Sequence, residues 1–338
     1  MVKVSVEAHS RLHMALIDLN GNLGRIDGGF GVALQDPSIR LEIEESSRAS
    51  VEPYSKLLDN ALRRAKKAFG YNDDVIVRLI DDYPEHIGLG HETQIMLAVG
   101  SAICKLKDLN ISVPSIAWKM GRGGTSGVGV GIFETGGFVL DAGHGFGPNR
   151  VKNSFCSSSY SNAPPPPVIC RCKFPEDWRV ILLIPKIAKR IFGKFELDVF
   201  KQFCPIPANE VEKISRAVLF QLVPSVVEND LTSFGEALTI IRNTGFKRIE
   251  IDQQPPIVKE VMHTMEKCNV SALGLSSMGP AVFAVLSKED DISEIVISLK
   301  NVQKKHSVEC VVLETKGCNN GAFVQIANEI KLQSSESF

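Results

Sequence analysis

The sequence predicts an α+β protein in two parts. Its 338 residues exceed what one core comfortably holds. Short apolar runs of period two, which suit strands, recur with longer segments of helical spacing in both halves. A serine- and proline-rich stretch, residues 157–167 (SSSYSNAPPPP), lies between them.

Taken in order, Val2, Val4 and Val6 alternate with polar residues and predict an opening strand, a pattern repeated by Ile39, Leu41 and Ile43. Residues 54–69 have helical spacing. Residues 75–80 form the next strand, which runs into a turn at Asp81, Asp82 and Pro84. A helix follows over 92–106, directly after a glycine loop, and then a short apolar strand over 137–141. Four consecutive prolines cannot join a helix or the middle of a sheet, so 157–167 reads as an extended spacer; a long surface loop within one domain is equally open. Beyond it, 180–184 is a buried strand closed by Pro185. Residues 209–227 are helical, with Val211, Ile214, Val218 and Leu222 on one face. A second helix covers 233–241, and strands at 281–286 and 310–313 flank a helix over 292–302. The expected units are 1–165 and 166–330, with a fraying tail at 331–338. No internal repeat is visible.

Composition narrows the function. A formal net charge of −1 leaves no electrostatic footprint for nucleic acid or an anionic membrane, so an anionic ligand must be held by a local site. No apolar run approaches the roughly 18–20 residues that span a bilayer. The N-terminus lacks the charged-then-apolar order of a signal peptide. Eight cysteines are scattered without a CxxC pair, and only Cys170 and Cys172 lie close together. Neither a zinc ribbon nor a disulfide framework is indicated, which predicts reduced thiols in a cytoplasm.

Four glycine-rich segments are candidates for binding. They are 21–31 (GNLGRIDGGFG), preceded by Arg11, His13 and Asp18; 84–94 (PEHIGLGHETQ); 121–131 (GRGGTSGVGVG), followed by Asp141 and His144; and the weaker 274–280 (GLSSMGP). Glycines let the backbone approach a ligand and aim successive N–H groups at it, and a helix start adds its positive dipole end, which suits phosphate. Any one such loop is more often a plain turn. Four together, each with Ser, Thr, Arg or Asp, point to a phosphorylated ligand. Arg122 and Arg25 offer planar, permanently charged forks for phosphate or carboxylate. Asp18, Asp27 and Asp141 are magnesium candidates, since that ion prefers one or two carboxylates plus substrate phosphates. His9, His13 and His144 are acid–base or orienting candidates. No HxH or HExxH spacing, no GxxxxGKS/T loop and no strand–GxGxxG–helix order occurs, which sets aside histidine metal sites, ordinary NTPases and dehydrogenases.

The segment around Gly88-Leu89-Gly90 resembles the PxxxGLGSS phosphate loop of the GHMP kinases, and GTSGVG at 124–129 resembles their G-x-P-S-G-x-D stretch. Two positions depart. His91-Glu92 replaces the serines, and Gly129 stands where many of these kinases carry a catalytic aspartate. A glutamate beside an anion loop opposes phosphate, and a glycine cannot take a proton from a hydroxyl. A closer resemblance runs over about residues 10–286. SRLHMALIDLNGNLGRIDGGFGVAL, GLGHETQ, GRGGTSGVGVGIFETGGFVLDAGH, PSVVENDLTSFGEAL and GLSSMGPAVFA are similar to the β-ribofuranosylaminobenzene 5′-phosphate synthase family, a GHMP branch acting in methanopterin synthesis. That family commonly has Ser-Gly where this chain has His91-Glu92.

The resemblance implies a GHMP-kinase-like fold, with an N-terminal ribosomal-protein-S5-like domain and a C-terminal ferredoxin-like one. It implies a magnesium-assisted reaction of phosphoribosyl diphosphate with 4-hydroxybenzoate or 4-aminobenzoate, releasing carbon dioxide and diphosphate, by a homodimer. It assigns catalytic roles to Arg11, His13, Arg25 and Arg122. Phosphate and diphosphate contacts fall to Gly123, Gly124, Thr125 and Ser126 beside Arg122, magnesium to Asp18 or Asp27, and cleft closure to Ser276 and Ser277. Gly28, Gly29, Gln94 and His144 complete the expected substrate-binding set. An ATP-dependent GHMP small-molecule kinase and a ligand-binding homologue without catalysis are the alternative readings.

Overall fold

Val4, Val6 and Ala8 are fully shielded while Lys3, Ser5, Glu7 and His9 keep partial exposure. That alternation builds a sixteen-residue strand, β1 (Lys3–Asp18), in a computed structural model that describes residues 2–188 and 191–327. The expected tail at 331–338 lies outside the described residues. β1 pairs antiparallel with β2 (Arg25–Glu45), from Lys3↔Glu44 to Asp18↔Asp27, with register shifts at His9/Arg11 and His13/Ala15. Such bulges re-aim side chains and concentrate beside functional sites; here they set the directions of Arg11 and His13. The first glycine segment is therefore corrected: from Arg25 onward it is strand rather than loop, and Gly28 and Gly29 lie inside β2.

The chain continues through β3 (Ser50–Glu52), α1 (Lys56–Phe69), β4 (Val75–Asp81), α2 (His91–Leu106), α3 (Val113–Lys119), α4 (Val128–Thr135), β5 (Phe138–Asp141) and the two-residue β6 (His144–Gly145). Ser55 caps α1 by accepting from the Leu58 N–H, and Gly70 ends it in a left-handed conformation. α2 is buried on nearly every side, as its almost unbroken apolar run requires.

β7 (Val168–Cys172) lies past the expected boundary at 165, yet pairs with β5 of the first sheet. The 157–167 stretch is likewise packed rather than free. The Trp118 indole N–H donates to the Asn162 carbonyl, Ala163 is buried, and the Pro164 carbonyl meets His144. Without β7 the backbone groups along one side of β5 would have no partner, a cost that pairing removes.

β8 (Trp178–Pro185) opens the second sheet. α5 (Lys194–Phe203), α6 (Ala208–Ala217), α7 (Val223–Glu228), α8 (Leu231–Arg242), α9 (Gly245–Asp252) and α10 (Pro256–Lys267) precede β9 (Ala272–Leu275), β10 (Val282–Ser287), α11 (Ser293–His306), β11 (Cys310–Lys316) and β12 (Phe323–Ala327). The single helix expected over 209–227 is interrupted by a π turn at Val218–Leu222. Pro224 at the start of α7 lacks an N–H and its ring would strike the carbonyl four residues back, so the backbone widens there.

The sheet of β11-β8-β10-β9 is antiparallel, and β8, β10 and β9 are buried on both faces while β11 is largely exposed. Ile181 and Leu183 point to α10 and α11, while Val180 and Leu182 join the core shared with α6, α8 and the first sheet. Phe174, Trp178 and Phe234 stack edge-on and tilted within that shared core. β12 returns to pair with β1, so the first sheet is completed by the end of the described chain. No helix among the described residues is long and apolar enough to cross a membrane.

Candidate active site

The loop before α2, the bulged part of β1 and the turn after β9 interlock. The Ser276 hydroxyl, fully buried, donates to the Gly88 carbonyl at 2.7 Å and accepts from the His13 N–H at 3.1 Å. The Ser277 N–H donates to the His13 carbonyl at 2.7 Å, and the Ala281 N–H to the Ile87 carbonyl at 3.1 Å. Arg11 adds a guanidinium bond to the same Gly88 carbonyl at 2.7 Å. Its stem crosses Gly90 so closely that a Cβ there would sit 2.9 Å from Arg11 Cγ, and the Gly90 φ of +83° also excludes ordinary side chains. Gly90 is thus needed at the start of α2 for two separate reasons.

Arg122 is held against the first turn of α2. Nε and Nη2 donate to Thr93 Oγ1 at 3.1 and 3.0 Å, and Nη1 pairs with Glu92 at 2.9 Å. Arg11, His13, Glu92, Arg122, Glu196 and Glu250 all border one cleft of about 220 Å3, with Thr125, Ser126 and Ser277 in its wall. His86 stacks on Phe192 at its rim, ring centroids 4.1 Å apart.

Burial governs the charges here. Desolvation lowers the Arg11 guanidinium to about 10, which leaves it a cation at neutral pH. The same burial, reinforced by Arg11 and Lys247, holds the His13 imidazole well below its ordinary value, so the ring is neutral. Among the described residues its buried Nδ1 has no side-chain hydrogen-bond partner. Burial and the neighbouring Glu250 push the Glu196 carboxyl up to about 7, against the pull of Ser157, Arg122 and Arg11. Glu250 is itself raised by burial and ion-paired with Lys247 one helical turn away; Lys247 also donates to the Leu275 and Ser277 carbonyls, fastening the turn after β9.

Several expected contacts are relocated. The third glycine loop does lead into a helix, α4, but its N-terminus is already filled. Asp141 accepts from the Gly127 N–H at 2.8 Å, from Ser126 Oγ at 3.1 Å and from the Gly143 N–H at 2.9 Å. Gly123 packs against Pro165 and Gly124 against Ser161, so neither glycine faces the cleft. Thr125 and Ser126 do reach it, although the Thr125 hydroxyl is spent on the Cys156 carbonyl. Gln94 is buried and ties α2 to α4 through the Gly129 carbonyl at 3.1 Å. Gly29 leaves room for Ser126 Oγ and His13 Nε2, each under 3 Å from where its Cβ would stand (2.8 and 2.9 Å).

The magnesium candidates do not form a seat. Asp18 Oδ1 accepts from the Asn20 and Gly21 N–H groups, closing the β1–β2 turn. Asp27 is fully buried and its Oδ2 meets both His144 Nδ1 at 2.7 Å and Lys152 Nζ at 2.8 Å; the other ring nitrogen of His144 faces the Pro164 carbonyl at 2.9 Å. Among the described residues no group of three or more His, Cys, Asp or Glu converges on a metal position. Arg25 donates to the Ala142 and Gly143 carbonyls and does not border the cleft, and His9 lies beside Cys318 at 3.3 Å.

His91, the departure from the kinase pattern, is turned into the core. It bonds Asp82 at 2.6 Å and stands edge-on to Tyr83, so its ring anchors the loop beside the pocket that the same residue borders. Glu196, Glu250 and Lys247 escaped the sequence reading altogether. They sit on α5 and α9, where charged residues look like an ordinary solvated helix face, and only the i, i+3 spacing of Lys247 and Glu250 hinted at a pair.

The GHMP kinases C-terminal family model matches residues 222–304. Among solved structures, a homoserine kinase from Cytophaga hutchinsonii superposes with a TM-score of 0.64 at 15% identity over 96% of this chain and 97% of that one. A mevalonate kinase from Methanococcus jannaschii gives 0.61 at 11% identity, over 93% and 98%. These likenesses establish the fold. Two curated proteins named beta-ribofuranosylphenol 5′-phosphate synthase are much nearer in sequence. The one from Methanocaldococcus jannaschii is 40% identical over 94% of this chain and 98% of its own length. The one from Methanothermobacter thermautotrophicus is 36% identical over 96% and 99%. At that identity, over nearly the whole of both chains, this protein belongs to the beta-ribofuranosylphenol 5′-phosphate synthase family, enzymes built on the GHMP kinase fold.

Proposed function

We propose that the protein transfers the ribose 5-phosphate unit of phosphoribosyl diphosphate to the ring carbon of 4-hydroxybenzoate, with loss of carbon dioxide and diphosphate, as a step toward methanopterin. The observation that carries this reading is the pair of arginines, Arg11 and Arg122, braced at the start of α2 on one cleft. Loss of diphosphate leaves an oxocarbenium-like ribose carbon. Fixed cations beside the leaving group stabilise its developing charge, a contribution of several kcal/mol in water-excluded sites, on the order of 3–4 for a single donor. The ring carbon bearing the carboxylate attacks the ribose carbon, and departure of carbon dioxide restores aromaticity. No covalent enzyme nucleophile is needed. The neutral His13 ring can bond a ribose or ring hydroxyl without adding charge beside the cationic carbon.

The relatives' name describes a ribofuranosylphenol, and a phenol is what 4-hydroxybenzoate leaves on decarboxylation, whereas 4-aminobenzoate leaves an aminobenzene; this supports the hydroxy acid. Magnesium remains the proposed cofactor, entering with the diphosphate, but Asp18 and Asp27 do not fit as its seat and no step is assigned to it. The eight unpaired thiols support a reducing compartment, the cytoplasm. An exposed apolar stripe of Leu219, Phe220 and Val227 supports a homodimer, which sedimentation would test.

The decisive assay supplies magnesium, phosphoribosyl diphosphate and carboxyl-labelled 4-hydroxybenzoate or 4-aminobenzoate. The expected result is labelled carbon dioxide in proportion to diphosphate, faster with the hydroxy acid. Formation of ADP from ATP with an alcohol substrate, and no carbon dioxide, would overturn the reading in favour of a kinase. The glycine at 129, packed on Thr93, offers that chemistry no base.

A further inference from the structure

We propose that Glu196 is a catalytic base of this reaction, taking the phenolic proton of a 4-hydroxybenzoate ring whose hydroxyl end is seated at the Glu196–Glu250 wall of the cleft. The inference rests on the function proposed above and assigns within it a residue that neither the motifs nor the relatives' names point to.

The two arginines are poorly suited to hold the aromatic carboxylate. A carboxylate clamped by a guanidinium is stabilised most before it decarboxylates, so binding the benzoate by that end would raise the barrier to losing carbon dioxide. Arg11 and Arg122 therefore suit the diphosphate, and the aromatic acid must be held by its opposite end. That end is a neutral hydroxyl, which needs an acceptor. The cleft is bordered by three carboxyl groups, Glu92, Glu196 and Glu250, and Glu92 is already paired with Arg122. Glu250 is committed to Lys247, which leaves Glu196. His13, 6% exposed, borders the same cleft, and among the described residues its buried Nδ1 has no side-chain partner, which leaves a polar group unspent beside the proposed ring site.

The electrostatic surroundings suit a base that works near neutrality. Arg11 and His13 face Glu196 from β1, His86 and Glu92 from the loop and first turn of α2, Arg122 from the loop before α4, and Glu250, backed by Lys247, from α9. Burial and Glu250 raise the Glu196 carboxyl to about 7, while a hydrogen bond from Ser157, then Arg122 and Arg11, keep it from rising further. A base is most effective when its pKa lies near the working pH. Phenols are weaker acids than such a carboxyl, so the transfer must accompany ring attack, when the phenolic oxygen becomes more acidic.

Atoms and electrons balance within the proposed reactants. The phenolic O–H bond breaks and its proton passes to the Glu196 carboxylate. Electron density moves through the ring to the carbon para to that oxygen, which bonds to the ribose carbon as the bond to diphosphate breaks with its electron pair. The ring–carboxylate bond then breaks, carbon dioxide leaves, and the pair returns to the ring as a phenolate. Glu196 returns the proton to the phenolate oxygen. No oxidant or further reactant is required.

Glu196→Gln keeps the shape and removes the base. Wild-type kcat/KM should rise with pH through an ionisation near 7 and then level. The variant should lose about 100-fold or more in kcat with 4-hydroxybenzoate, keep its KM for phosphoribosyl diphosphate, and lack that acidic limb. With 3-fluoro-4-hydroxybenzoate, whose phenol is more acidic, the loss should shrink by about tenfold, because less depends on the base. A variant within about threefold of wild type, with the limb intact, would overturn the role of Glu196 and leave the function standing; so would an equal loss on both benzoates. A folded wild-type enzyme that released no carbon dioxide from either benzoate would instead overturn the function itself.

Discussion

Two loops in this protein look alike on paper and differ in three dimensions. Gly88-Leu89-Gly90 leads into α2, and Gly123-Gly124-Thr125-Ser126-Gly127 leads into α4. Both are glycine-rich, and both present a helix N-terminus of the kind that binds phosphate. At the second of them the anion is already supplied by the protein: Asp141 accepts two backbone N–H groups and a serine hydroxyl, and residues 157–167 lie across the glycines. At the first, the loop carbonyls are braced by Arg11 and Ser276 while the first turn of α2 opens on the cleft. A glycine pattern marks where a backbone can approach something closely. Whether that something is a ligand or another part of the chain depends on which neighbours arrive.

The contrast can be broken most directly at Arg11. Arg11→Gln should lower kcat/KM by on the order of a thousandfold, measured as carbon dioxide release, with the circular dichroism spectrum retained. A loss under tenfold would mean that the α2 loop does not hold the leaving group. Asp141→Ala tests the other side. It strips the acceptor from the α4 loop and should cost about 2–3 kcal/mol in a urea melt, far more than it changes KM for phosphoribosyl diphosphate. A KM raised tenfold with stability unaltered would return the third loop to substrate binding. The smallest effect is the sharpest. Glu92 competes with phosphate for Arg122 and places a negative charge at the mouth of the α2 loop, so Glu92→Gln should lower KM for phosphoribosyl diphosphate by about threefold to fivefold with little change in kcat. A KM that rose would show that Glu92 aims Arg122 instead of restraining it.

The placement of each element explains what was legible beforehand. Alternation in Val2–Val4–Val6 and Ile39–Leu41–Ile43 marked the central hairpin because a half-buried strand imposes a period of two. The apolar run after Gly90 marked α2 because the helix is enclosed on almost every side. Arg11, His13 and Arg122 were found because they accompany glycine segments, and they do meet in one cleft. Asp27 was singled out as a magnesium ligand and His144 as a substrate-binding or acid–base group, but as partners of each other and of Lys152 they make a structural cluster. Sequence could not distinguish that from ligand binding, because the partners come from positions 27, 144 and 152, whose proximity is set by β2 pairing with β6. Glu196 and Glu250 were missed for the complementary reason. Each is one acidic residue among 39, and nothing local separates it from those that face water.

By itself, then, the sequence marked the central hairpin and α2 through periodicity, and its long motifs carried the resemblance to the superfamily and the family, because all of these are properties of neighbouring residues along the chain. Tertiary structure alone decided which glycine loop is open, which carboxylates are spent on the protein's own cations, and which are pressed together in the cleft until one ionises near neutrality. Those are consequences of desolvation and charge proximity between segments far apart in sequence, and such energies exist only once the segments have been brought together.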